Sequence, residues 1–150
     1  MKRAFIAAAA VAAFLPLLAS AQFAKTEDAI NYRQSALFIM GQHFGRIGAM
    51  VNDKAPFDAA KAKDSANVVN AVGKLPWTAF VPGSEKGGDT KAKPEIWEDP
   101  GKFSAAQDRL QAALPKLAAA TETGDKGKIK EAFTEAAGAC KNCHDSFRAK

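Results

Sequence analysis

Between Thr26 and Val51 an apolar side chain recurs every seven residues: Ile30, Leu37, Phe44 and Val51. Arg33, Met40 and Ile47 fill the intervening positions of the same seam. Seven residues are about two helical turns, so these side chains share one face of a long helix, and that face must be covered by other helices. A half-buried strand would alternate every second residue, and no such run occurs in the chain. Thr26 or Asp28 could cap the helix start, with Glu27 favourably placed in its first turn. The rest of the chain repeats the helical period. A second helix is expected from about Asp58 to Leu75, after the Pro56 breaker, with Val68, Val69, Val72 and Leu75 on one face. A third covers about Ser104 to Thr121 through Leu110, Leu114 and Leu117, with Pro115 expected to kink or split it. Gly124 ends it, and Asp125 can cap a fourth carrying Ile129, Phe133, Ala136, Ala137, Cys140, His144 and Phe147.

Between the second and third helices lies Pro76 to Lys102, rich in Pro and Gly yet holding both tryptophans, Trp77 and Trp97, with Phe80 and Ile96. A loop of that length inside a compact domain is functional or disordered, and its aromatic residues argue that it packs on something. Two short links and one long central crossover describe an all-α antiparallel four-helix bundle.

The N-terminus sets the compartment. Lys2 and Arg3 precede an apolar run, Phe5 to Leu18, which ends at Ala19-Ser20-Ala21. That order of charge, apolar stretch and small-x-small site is a secretory signal. As a membrane anchor the run is shorter than the ~20 residues a span needs. The expected organisation is a cleaved signal, 1–21, and one helical domain, 22–150, exported to the periplasm and free of the membrane. Without Lys2 and Arg3 the formal net charge falls from +5 to +3, with acids and bases interspersed. No basic block or aromatic-basic alternation marks a nucleic-acid partner.

The chain's two cysteines lie near its end, in Cys140-Lys141-Asn142-Cys143-His144. A structural disulfide between residues three apart on a helix would close almost no loop and stabilise little. Cys-x-x-Cys-His is the attachment signature of c-type haem. At ~100° per residue, Cys143 and His144 fall about 60° and 40° either side of Cys140, so two thiols and an imidazole share one arc. Phe133 and Phe147, seven residues before Cys140 and four after Cys143, lie on the same face, making it the core face of the helix. A zinc site using Cys140, Cys143, His144 and the distant His43 has the right number of ligands, but adjacent Cys143 and His144 close a tetrahedron awkwardly. A redox dithiol belongs at a helix N-terminus, whereas these cysteines sit at a C-terminus. Covalent haem c, with His144 as axial iron ligand, is the stronger reading. No Met or His follows the motif, so a sixth ligand must come from upstream or be missing.

Together with the opening QFAKTEDAINYRQSALFIM, the middle LPWTAF, the loop PEIW and the closing CKNCHDSFR, this C-terminal motif resembles the class II c-type cytochromes, the cytochrome c′ family. The resemblance covers the whole chain after the signal. It implies five-coordinate haem whose vacant iron face is covered by an apolar residue of the first helix, by position Leu37. Leu37 is also mid-seam and cannot ligate iron. Met40, on the same stripe, is the rival: as a ligand it would make a low-spin His/Met electron carrier, and otherwise it is a core gap-filler. His43 lies about 90° off the seam centre. Arg33 interrupts the seam with a charge that needs an anion, and a haem propionate would supply one with bidentate geometry; otherwise it reaches solvent or an acid on a neighbouring helix. The resemblance places Arg33 and Gln34 at the propionates, and Glu95 is a weaker candidate for the haem edge. It also matches Arg148 to a basic residue on the His144 side of the haem, a position that equally suits a cation complementing the helix dipole.

Leu37 with Trp77 and Phe80 would line an apolar distal pocket lacking a hydrogen-bond donor. Such a pocket suits NO or CO, which the resemblance also implies, together with NO sequestration, single-electron exchange and denitrification. An enzyme such as a peroxidase would want distal acid-base groups, and the stripe has none. The resemblance further implies a homodimer through the first and second helices. The redox partner is not specified by anything in the chain.

Overall fold

In the computed structural model, which describes residues 22–150, the described residues are mainly helical. Its elements are α1 (Thr26–Val51), α2 (Ala59–Val72), a 3₁₀ turn (Pro76–Ala79), the one-turn α3 (Glu95–Glu98), α4 (Pro100–Glu122) and α5 (Lys126–Phe147). The helix α1 packs on α2 and α5, and α4 packs on the same two. The four long helices therefore close a ring, a four-helix bundle with the crossover between α2 and α4. Residues 1–21, expected from the sequence to be a signal, lie outside the described residues. Among the described residues no helix is long and apolar enough to cross a membrane.

Two apolar layers fill the ring. Ile47, Val51, Ala66, Leu117 and Ile129 form one. Met40, Val69, Leu110, Leu114 and Ala136 form the next. At the far end the crossover adds a third cluster, Ile96, Phe103 and Phe147, with Trp77, Phe80 and Trp97 against it. The tryptophans of the crossover are thus packed, each indole N–H donating to a backbone carbonyl: Trp77 to Gly73 at 2.7 Å and Trp97 to Phe80 at 3.1 Å.

Local chemistry explains most boundaries. Asp58 caps α2 by accepting from the Lys61 amide, and Asp125 caps α5 by accepting from Gly127 and Lys128. Gly124, at φ +66°, provides the left-handed turn between α4 and α5. Neither Thr26 nor Asp28 caps α1, whose N-cap is Lys25 without a side-chain bond. The third helix starts earlier than its apolar period indicates, because Asp99 caps it by accepting from Lys102 and Pro100 supplies its first turn. Pro115 does not split it. That ring is exposed, so the Gln111 carbonyl it deprives of a donor lies toward solvent rather than inside the core.

Leu75 falls beyond the end of α2 and is 43% exposed, not on a buried face. The helix ends at the C-cap Gly73, which is buried against α4. A Cβ there would stand 2.3 Å from Leu114 Cδ1 and 2.8 Å from the Val69 carbonyl.

Candidate haem site

The α5 seam brings Cys140, Cys143 and His144 to the wall of one cavity of about 570 Å³, which α1, α2, α4 and the crossover enclose. Both cysteines are free and partly buried. Burial pushes the Cys140 thiol up, with Cys143 adding to it, and pushes the Cys143 thiol up as well. Neutral, inward-facing thiols are poor redox nucleophiles, which weighs against a dithiol couple. Burial and then the neighbouring Arg148 pull the His144 imidazole below its ordinary value, against a smaller pull from Asp145. The imidazole is therefore neutral at neutral pH, the form that binds a metal. Among the described residues no three His, Cys, Asp or Glu side chains converge as a metal site, so His43 does not complete a zinc quartet. His43 is partly buried and its Nδ1 has no hydrogen-bond partner.

Leu37, Met40, Phe44, Val69 and Leu114 give the cavity an apolar wall from α1, α2 and α4. Leu37 packs on the Met40 cluster. Met40 also lines the cavity, but its sulfur lies 3.5 Å from the position a Gly73 Cβ would take, turned toward the start of the crossover. Trp77 and Phe80 both reach the cavity, on different neighbours. Trp77 touches the cluster that holds Leu37 and Cys140 as well as the one that holds Cys143. Phe80 belongs only to the latter, stacking edge-on to Phe103 at 4.9 Å, with Phe103 in turn edge-on to Phe147 at 5.3 Å. Leu37, Trp77 and Phe80 all line the one cavity, Phe80 on the side where the 3₁₀ turn brings it against α4.

Arg33 and Gln34 stand at the cavity, but the four terminal N–H groups of Arg33 are engaged. Nη1 donates to the Ala79 carbonyl at 3.0 Å and Ser84 Oγ at 2.6 Å; Nη2 donates to the Ser84 carbonyl at 2.6 Å and Thr90 Oγ1 at 2.9 Å. The bidentate fork expected for a propionate is thus used to hold the crossover, leaving Nε as the remaining donor. The guanidinium lies 4.7 Å over the Phe80 ring, and burial pulls its pKa down while Glu85 opposes that. Gln34 donates to the Asp89 carbonyl. Arg148 lines the cavity beside His144. Glu95 does not line it. Glu95 lines a separate, smaller cavity with Lys102 and Arg109, whereas its helix neighbour Ile96 lines the main one.

Sequence reasoning missed Asp89, Thr90, Lys91 and Ala92, which form one side of the cavity. They lie in a polar stretch without period, and only its closeness to the tryptophans could have drawn attention to it. Phe38 at the cavity edge was missed because its helical angle places it off the seam.

A cavity of this volume falls in the range of sites that enclose a sizeable ligand, about 300–1,000 Å³. Two thiols and a neutral imidazole on one arc, facing apolar walls, fit a porphyrin tethered through two thioethers. The fold and its cavity define a four-helix c-type haem protein. The comparisons agree. The family model for cytochrome c′ matches residues 28–148. Cytochrome c′ of Rubrivivax gelatinosus is 52% identical over 129 residues, covering 86% of this chain and all of that protein. Cytochrome c′ of Alcaligenes xylosoxydans is 48% identical, covering 86% of this chain and 99% of that one. The Rubrivivax crystal structure superposes with a TM-score of 0.83, over 85% of this chain and 100% of that one. A nitric oxide complex of a leucine-to-isoleucine variant of the Alcaligenes xylosoxidans protein superposes at 0.79, with 45% identity, over 86% of this chain and 100% of that one. The chain belongs to the cytochrome c′ family, and its cofactor is covalent haem c.

Proposed function

We propose that this chain is an exported haem protein, not an enzyme, in which His144 is the only protein ligand to a five-coordinate, high-spin iron. On this reading Cys140 and Cys143 tether the haem, and the protein takes up NO or CO and exchanges single electrons, serving NO handling during denitrification. Bound haem supplies the iron that coordinates diatomic gases and changes oxidation state one electron at a time. The residues of the chain decide what reaches it. The observation that carries the proposal is the apolar wall of Leu37, Phe44, Val69 and Leu114 in the cavity that His144 enters. That wall offers a ligand no hydrogen-bond donor, so it penalises polar molecules and favours small neutral ones. It also lacks the acid-base groups a peroxidase needs. Leu37 covers the metal and yields to a ligand. Arg33 anchors the crossover beside the cavity, its Nε free for a propionate, and Gln34 flanks it. Trp77 and Phe80 bound the pocket. Arg148, beside His144, disfavours protonation of the imidazole and faces a ligand arriving on that side. The bound nitric oxide in the Alcaligenes structure supports the choice of ligand.

The ferric absorption and EPR spectra of purified holoprotein test this. High-spin signals and a haem band altered by NO are expected. A low-spin thioether spectrum that disappears in Met40→Ala would instead establish the His/Met electron carrier. For export, the mature N-terminus is expected at Gln22 by mass analysis of secreted protein. A homodimer through α1 is supported by Phe38 and Ile39, 66% and 44% exposed. Sedimentation is expected to show dimers that Ile39→Glu converts to monomers; an unchanged dimer places the interface elsewhere.

A further inference from the structure

The end of α5 is tied to the crossover by a set of bonds that the proposed gas chemistry does not by itself require. Ala92 and Arg148 form an isolated antiparallel bridge, the sole pairing of extended backbone among the described residues. The Lys93 amide donates to the Phe147 carbonyl at 3.0 Å, and the Ala149 amide donates to the Lys91 carbonyl at 2.8 Å. The Lys93 ammonium lies 3.2 Å from the Ser146 carbonyl and 3.5 Å from that of Asp145. These are last-turn carbonyls of α5, which have no helical donor of their own, and a cation there also complements the helix dipole. At its other end the same strap is fixed to α1. Thr90 Oγ1 accepts from Arg33 Nη2 and from the Ala92 amide, and the Asp89 carbonyl accepts from Gln34. Residues 89–92 therefore run along the cavity between a buried arginine on α1 and the tail of α5.

The consequence falls on Arg148. Its backbone is extended (φ −120°, ψ 128°), and its amide donates to the His144 carbonyl at 3.1 Å. We propose that Lys93 is the positioning residue for Arg148: it clamps the final turn of α5 to the strap and thereby holds the guanidinium beside the His144 face of the cavity. The inference rests on the proposed role of Arg148 toward a ligand on that face.

The test uses holoprotein carrying Lys93→Met, which keeps the apolar stem and removes the ammonium, with Lys93→Arg as the conservative variant. In Lys93→Met, amide hydrogen exchange at Arg148 and Ala149 is expected to accelerate roughly three- to tenfold, the scale of one lost hydrogen bond. NO release from the ferrous protein is expected to change in the same direction as in Arg148→Ala. The double variant is expected to match Arg148→Ala alone, and Lys93→Arg to restore both readouts. Unchanged exchange, or additive effects in the double variant, would overturn the proposal. Accelerated exchange with NO release unaltered in every variant, Arg148→Ala included, would support the clamp and overturn instead the role given to Arg148.

Discussion

Leu37 packs on the Met40 cluster at the cavity wall, so on the proposed reading a ligand reaching the metal past α1 must move it. Displacing a packed side chain costs about 1–3 kcal/mol. Leu37→Ala should therefore speed CO association to the ferrous protein roughly 5- to 160-fold, at about 1.36 kcal/mol per factor of ten. Stopped-flow rates equal to wild type would show that Leu37 is not the barrier. On the other face, burial and Arg148 both hold the His144 imidazole neutral. A histidine with a depressed folded value binds fewer protons than the unfolded chain, so this stabilisation is complete above the unfolded value, ~6.5, and is lost as pH falls through the folded one. Removing Arg148 relieves part of the depression. Acid titration of the holoprotein spectrum should find His144 leaving the iron at higher pH in Arg148→Gln than in wild type. An unmoved midpoint would assign Arg148 no electrostatic role there. The Cys-x-x-Cys-His residues were legible because their chemistry dictates their spacing. Arg33 was legible only in part: a charge in an apolar seam announces a partner, but it could not reveal that the partners are Ser84, Thr90 and two carbonyls of the crossover.

Periodicity recovered α1 to its ends, since an apolar residue every seven positions has few alternatives. It recovered the other helices less well where capping and close approach, rather than burial, decide the boundary. Asp99 and Pro100 begin α4 before its apolar stripe starts, and Gly73 ends α2 before its stripe would stop. Gly73 also provides a test in which two effects oppose each other. It has φ −59°, so alanine is conformationally acceptable and would gain up to about 1 kcal/mol from the unfolded state. The new methyl would, however, meet the Val69 carbonyl and Leu114, an overpacking cost of about 1–3 kcal/mol. Gly73→Ala should lose about 1 kcal/mol. Gly45→Ala on α1, where a Cβ meets nothing within 4 Å, should gain about 0.5–1 kcal/mol. Denaturant midpoints at constant m-value decide both. A stabilised Gly73→Ala would mean that α2 and α4 part easily, contrary to the packing described.

The four-helix ring is not a finished core on its own. One end holds close-packed aliphatic layers, while the other surrounds about 570 Å³ lined by Leu37, Phe44, Leu114 and the aromatic crossover. Such a volume of apolar wall is left without packing partners unless a large group fills it. A domain of this size has only about 5–15 kcal/mol of stability in all, so losing that packing matters. The haem is therefore expected to be a folding element as well as a reactive group. Cys140→Ser with Cys143→Ser, which removes both thioether anchors without changing the helix period, should leave a chain with weaker far-UV helical signal and a broad, low-amplitude thermal transition. The wild-type holoprotein should instead melt cooperatively, with haem absorbance and helicity falling together. The surface ion pairs linking helices, such as Lys116 with Glu135 and Lys63 with Glu122, cannot compensate, because exposed pairs contribute about 0–1 kcal/mol each. If the double serine variant keeps full helicity and a cooperative transition without haem, the aliphatic layers around Ile47 and Leu117 suffice to hold the bundle, and the crossover must collapse into the cavity to fill it.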